Sequence, residues 1–210
     1  MSRASPAPSR GKFLTLEGVD GAGKSTHQKF VADFLATRAP HVIVTREPGG
    51  TDLAERLRRA ILEEAMAPEV ETLLIFAGRA DHVARVIRPA LEAGSWVICD
   101  RFSDATAAYQ AAGKGVSAQL IDSLAAIAHP GLAPDRTLVF DCPYETAAKR
   151  LAASGKKLDR FEREDRAFFE RVRAAYLARA KAEPGRVRVI DATVPVAEIR
   201  KALERNLSDL

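Results

Sequence analysis

The chain has 210 residues, 47% of them hydrophobic and 29% charged, the composition of a folded globular protein with one sizeable core. No run approaches 18 uninterrupted apolar residues, which excludes a membrane-spanning helix. Thirty-two Lys and Arg against 28 Asp and Glu leave a net charge of +4, which suits an anionic small ligand but gives no one-sided basic footprint for nucleic acid.

Residues 1–10, MSRASPAPSR, lack the apolar stretch of a secretory signal and are expected to form a disordered arm. Lys12–Glu17 is predicted as a buried strand and Lys24–Thr37 as a helix. Val42–Thr45 is a second, short β-branched strand. After the Pro48-Gly49-Gly50 turn, Thr51 is a plausible N-cap for a helix running to Leu62, with Asp52 near its positive end. Pro68 opens a long helix over about Glu69–Ala93, with a kink expected near Pro89. Val70, Leu73, Leu74, Ala77, Ala84, Ile87 and Leu91 share one face of it, readable as core or as a subunit interface.

Ser95–Asp100 and Thr137–Asp141 are apolar strands that both end in a carboxylate. Helices are expected around Thr106–Ala111 and Ser117–His129 between them, then at Tyr144–Ala153, Glu162–Lys181 and Val196–Leu207, with a last strand at Val187–Ile190. Strands that read as continuous apolar runs and alternate with helices have both faces covered. The expectation is one α/β domain over residues 11–210, a three-layer α/β/α arrangement around a parallel sheet of five strands. Cys99 and Cys142 lie in apolar runs and are too few for a disulfide framework, which fits a reduced, cytoplasmic setting. His27, His41, His82 and His129 are scattered without metal-ligand spacing, so no zinc site is expected.

Between the first strand and first helix, Gly18-Val19-Asp20-Gly21-Ala22-Gly23-Lys24-Ser25 matches G-x-x-x-x-G-K-[ST]. Glycines let consecutive N–H groups turn inward on phosphate oxygens, and the helix N-terminus adds partial positive charge. Lys24 suits the β/γ-phosphates of a nucleoside triphosphate, and the Ser25 hydroxyl suits Mg²⁺. The loop alone does not choose among motors, GTPases and small-molecule kinases. The chain has no NKxD-type guanine motif and is too small for a second motor lobe.

Asp100 ends the third strand, where such an acid orients Mg²⁺ or its waters, and Arg101 follows it. Arg46 ends the second strand. C-terminal strand ends face the ligand crevice, so Arg46, Asp100 and Arg101 are expected to converge near Lys24. Two arginines there suggest a second anion: an acceptor phosphate monoester already ionised at pH 7, needing no general base. The bland alternative pairs these arginines with Glu47 or Asp104 at the surface.

Four strings in order, LEGVDGAGKST (Leu16–Thr26), TREPGGT (Thr45–Thr51), DRFSDATAAYQ (Asp100–Gln110) and LDRFE (Leu158–Glu162), resemble bacterial thymidylate kinases. The likeness runs from about Lys12 to Leu207. It implies transfer of the ATP γ-phosphoryl group to dTMP with Mg²⁺, within dTTP biosynthesis, by a cytoplasmic homodimer. A kinase for another nucleoside monophosphate is the alternative. By the resemblance, residues Gly18 to Thr26 hold ATP. Asp20 contacts the deoxyribose 3′-OH and the metal-water network, and Arg46 and Arg101 clamp the dTMP phosphate. Arg79 bonds the thymine edge, although it could instead pair with Asp81. Tyr109 crowds the sugar 2′ position, although it could be plain core, and Gln110 lies near the base. A lid over residues 150–163 carries Arg150, Lys156, Lys157, Arg160 and Arg163. Arg150 is expected at ATP and Arg160 at the transferred group.

The chain departs from that pattern in four places. Gly21 stands where some members carry a loop arginine, which shifts the transition-state charge to the lid. The lid itself offers Lys156 and Lys157 where arginine is common, and lysine lacks the bidentate fork. Ile75 stands where a phenylalanine is common, with Phe76 rotated by about 100° on the helix. Ala105 replaces a small hydroxyl residue.

Overall fold

The computed structural model describes residues 10–155 and 159–210. Its sheet has five strands, all parallel, in the order β2-β3-β1-β4-β5. They are β1 (Phe13–Gly18), β2 (Val42–Arg46), β3 (Trp96–Asp100), β4 (Arg136–Asp141) and β5 (Val187–Asp191). The three inner strands are almost wholly buried, whereas the edge strands expose Val44 and Val189.

Alternation explains the two-sided core. Leu14, Leu16, Ile98, Leu138 and Phe140 face one layer, packing with Val31 and Leu35 of α1 (Lys24–Ala36), Val172 and Tyr176 of α8 (Arg166–Ala182) and Leu203 of α9 (Val196–Leu207). Phe13, Val97 and Cys99 point the other way, against Val83, Ile87 and Leu91. Successive residues of a strand project to opposite faces, so a one-residue slip would turn both layers out.

Thr51 caps α2 (Asp52–Glu63), its hydroxyl accepting the Ala54 N–H at 3.1 Å. The long helix is compound. α3 (Pro68–His82) passes into a π turn over Val83–Ile87 and then α4 (Arg88–Glu92). Pro89 has no N–H to give to the preceding turn, and the Arg88 N–H reaches back five residues to the Val83 carbonyl. The expected apolar face divides along its length: Ile87 and Leu91 are core, but Val70 and Leu73 are about half exposed. The face that α3 buries is Glu71, Thr72, Ile75, Phe76, Gly78, Arg79 and His82.

A second compound helix joins α5 (Ser103–Thr106) to a π turn over Ala107–Gly113, followed by α6 (Ala118–Ala128) and, after β4, α7 (Tyr144–Ala153). The helix expected from Glu162 begins at Arg166, because Asp165 caps it by accepting the Phe168 N–H at 2.7 Å. The preceding turn is tied by Asp159, whose Oδ1 accepts the N–H groups of Phe161 and Glu162. Of the expected N-terminal arm only Arg10 is described, with Nη1 3.5 Å from Asp135. Lys156 and Lys157 lie outside the described residues.

Candidate active site

The site forms where the inner strands end. β1 pairs with β3 on one side and β4 on the other, so the loop after Gly18 rises at the centre of the sheet's C-terminal edge. In the β2–β3 register Arg46 stands opposite Asp100. One cleft of about 730 Å³ contains the glycine loop, Arg46, Arg79, Asp100, Arg101, Tyr109, Gln110 and Arg150. The topology thus brings eight separately predicted features to one cavity.

Gly18 leaves the strand at φ 126°, where a Cβ would sit 2.3 Å from the Phe140 carbonyl oxygen. Only glycine permits that backbone and that approach. Lys24 curls across the loop, its Nζ donating to the carbonyls of Gly18 (3.0 Å) and Val19 (3.3 Å). Burial, then the cation of Arg101, holds its pKa below the usual lysine value. Ser25 is exposed at the start of α1. Asp100 keeps Oδ1 buried with no hydrogen-bond partner among the described residues. An unmet carboxylate oxygen at a strand end beside a phosphate loop and a free hydroxyl is the donor set a hard divalent cation takes.

Arg101 is the one non-glycine residue with positive φ (71°) among the described residues. Its Nη2 donates to Asp20 Oδ1 at 2.7 Å, and its guanidinium lies 4.5 Å from the Tyr109 ring centroid. Tyr109 donates its hydroxyl to Asp20 Oδ2 at 3.1 Å. Burial pushes the Asp20 carboxyl up, but the cations of Arg101 and Lys24 outweigh it and hold the acid below its ordinary range. Tyr109 is both core and site: its ring packs edge-on to Phe161, Phe168 and Tyr176.

Arg46 does not pair with Glu47 or Asp104. It donates to Glu55 of α2, through Nε at 3.3 Å and Nη2 at 2.9 Å, and stays half exposed at the cleft. Arg79 does not pair with Asp81, which takes Thr51 and Arg85 instead. Arg79 is fully buried, with Nε 2.6 Å from Glu47 Oε2, Nη2 2.9 Å from Thr106 Oγ1 and Nη1 unpartnered. The Phe76 and Phe102 rings flank its guanidinium at 4.8 and 4.9 Å. Phe76 therefore supports Arg79 from behind, while Ile75 and Ala105 line the cleft.

Gln110 gives its amide N–H to Glu71 at 2.8 Å. Arg150 reaches the loop from α7, donating to Ala22 O at 3.3 Å and to Ala192 O at 2.7 Å. Arg160 is the exception. It is not brought to the loop: its guanidinium is bonded to the carboxylate of Glu71 and the carbonyl of Ile61. Glu71 is fully buried and also accepts from Lys114 and Gln110, so one carboxylate serves three donors.

Four contributors were not singled out from sequence. Glu47 anchors Arg79 and takes His82 Nδ1 at 2.9 Å. Phe102 and Thr106 brace the same arginine. Glu47 follows Arg46 in a turn, where an acid reads as solvated, and nothing local announces burial. Arg58, which lines the cleft and donates to Pro48 O at 2.8 Å, is indistinguishable in sequence from Arg56 and Arg59 beside it.

The family model described as thymidylate kinase matches residues 16–203. A thymidylate kinase of Bordetella petrii is 54% identical over 201 residues, covering 96% of this chain and 97% of that one. One from Cupriavidus metallidurans is 54% identical over 201 residues, 96% of this chain and 100% of that one. The crystal structure of thymidylate kinase from Ehrlichia chaffeensis superposes with a TM-score of 0.77 at 31% identity, covering 95% of this chain and 99% of that one.

Proposed function

The chain belongs to the thymidylate kinase family, and from that premise we propose that it transfers the γ-phosphoryl group of ATP to the phosphate of dTMP, giving ADP and dTDP. One observation carries the reading: Lys24 on its loop and the arginines Arg46 and Arg101 line a single cleft, with room for two anions. A phosphate monoester has its second pKa near 6 and presents an ionised oxygen at pH 7. The protein therefore needs fixed positive charge and alignment more than a general base.

ATP lies with its phosphates on Gly18–Thr26, Lys24 leaving the Gly18 and Val19 carbonyls for the β/γ oxygens, and Arg150 beside the nucleotide. Ser25 and Asp100 would hold Mg²⁺, a placement supported by the buried, unpartnered Oδ1 of Asp100. When bound, the ion neutralises charge between the β- and γ-phosphates. Arg46 and Arg101 exchange Glu55 and Asp20 for the acceptor phosphate, and Asp20 is freed toward the 3′-OH. The unpartnered Nη1 of Arg79 supports a bond to a pyrimidine carbonyl, with Gln110 nearby and Tyr109 closing the 2′ side. A contact between Arg160 and the transferred group requires its release from Glu71.

Residues 11–210 act as one domain, with the lid over about 150–163. The exposed Leu53, Val70 and Leu73 on α2 and α3 support a homodimer through this face, which light scattering on the eluting species tests. No helix among the described residues is long and apolar enough to cross a membrane; a cytoplasmic location and the absence of nucleic acid among the partners complete the proposal. A coupled assay with dTMP, dUMP, UMP and CMP decides the substrate. Preference for dTMP is expected, and preference for a ribonucleotide defeats the assignment. The aliphatic Ile75 and Ala105 on the cleft wall make dUMP the informative competitor.

A further inference from the structure

β1 carries a buried acid with no part in the chemistry above. Glu17 precedes the glycine loop and is completely enclosed. Its Oε1 accepts the Phe102 N–H at 2.7 Å, and its Oε2 accepts the Tyr176 hydroxyl at 2.8 Å. Burying a carboxyl is costly unless hydrogen bonds reward it, so what these bonds hold is informative.

They hold the turn that carries Arg101. β3 stops at Asp100, the Arg101 N–H closes on Leu16 O at 3.0 Å, and Arg101 takes a left-handed backbone. A residue with a Cβ rarely adopts that conformation unless its surroundings hold it there. It aims the next N–H, that of Phe102, at Glu17. The same turn sends the Arg101 side chain to Asp20 and the Tyr109 face, and lays the Phe102 ring beneath Arg79. Tyr176 from α8 fixes the second oxygen, and its ring meets Tyr109 edge-on at 6.5 Å. We propose that Glu17 is a positioning residue for the acceptor nucleotide: by accepting the Phe102 N–H it holds the left-handed turn at Arg101 and so places both Arg101 and Arg79.

This inference rests on Arg101 and Arg79 being acceptor-side groups. The kinetics of Arg101→Ala test that reading separately, so the two failures are distinguishable. The test varies dTMP and ATP independently for Glu17→Leu, Glu17→Met and Glu17→Gln, with thermal melting as a check on folding. Leu and Met lack the acceptor; KM for dTMP should rise about tenfold or more while KM for ATP stays within about threefold. Gln keeps an acceptor for the Phe102 N–H and should stay within about threefold of the parent for both substrates. A folded Leu or Met variant with an unchanged dTMP KM overturns the proposal. So does an equal loss for both substrates, which points to the loop after Gly18, or a Gln variant as impaired as Leu. Should neither apolar variant fold, hydrogen exchange at the Phe102 amide of the unaltered protein decides. Strong protection is expected, and exchange at the rate of a free amide overturns the assignment.

Discussion

Asp20 and Arg101 meet at 2.7 Å across the mouth of the cleft, one from the glycine loop and the other from the turn after β3. In the proposed assignment the pair joins the donor and acceptor halves of the site. In this arrangement the carboxylate balances a guanidinium that an incoming phosphate can claim through a stronger bidentate contact. Arg101→Ala should lower kcat/KM for dTMP by about two decades or more, with ATP binding largely kept. Arg101→Lys should recover little, because an ammonium lacks the fork. Steady-state kinetics check both, and near-normal rates remove Arg101 from the mechanism.

Gly18→Ala should abolish ATP binding. The new methyl meets a backbone oxygen at 2.3 Å, which cannot rotate away, and the residue sits at φ 126°. Gly115→Ala is the control: φ is +77°, but nothing lies within 4 Å. It should cost about 1 kcal/mol and leave ATP titrations unchanged.

Glu47→Gln tests the buried brace of Arg79. Arg79 has its Nε on Glu47 at 2.6 Å, and both side chains are under 5% exposed. Removing the charge leaves a buried guanidinium without its counter-ion, which typically costs about 3–5 kcal/mol. Denaturant unfolding should show that loss, together with a raised KM for dTMP.

Stability should respond to pH through Glu17. Burial, then the neighbouring Asp104, pushes this acid from its ordinary 4.5 up to about 7. The folded state therefore binds the proton more tightly than the unfolded chain. The stabilisation is complete below about 4.5 and is lost as pH rises through about 7. Glu17→Gln, always neutral, should gain on the parent protein between pH 5 and pH 8, up to about 3 kcal/mol. Chemical denaturation at the two pH values measures it; an unchanged difference would show that the acid is not buried protonated.

Much of this site was legible because it is written in local terms. A strand, a glycine loop and a helix start are contiguous, so Gly18 to Thr26 read directly as a phosphate cradle. Arg46, Asp100 and Arg101 were reachable because strand ends in a parallel sheet share one edge, and the register sets Arg46 opposite Asp100. Partners were not legible. Arg46 goes to Glu55, Arg79 to Glu47 and Arg160 to Glu71, acids nine, 32 and 89 residues away in the chain.

By itself the order of residues determined the alternating strands and helices, the two-sided core and the glycine-rich loop between β1 and α1. Each follows from periodicity or from the backbone freedom of a few glycines, which act over neighbouring positions. Tertiary structure alone decided which face of α3 is buried, where Arg160 rests, and that Glu17 and Glu47 are buried acids, the second bonded to Arg79. Burial and ion pairing depend on what the fold brings close in space, and a string of letters carries no distance between residues far apart along it.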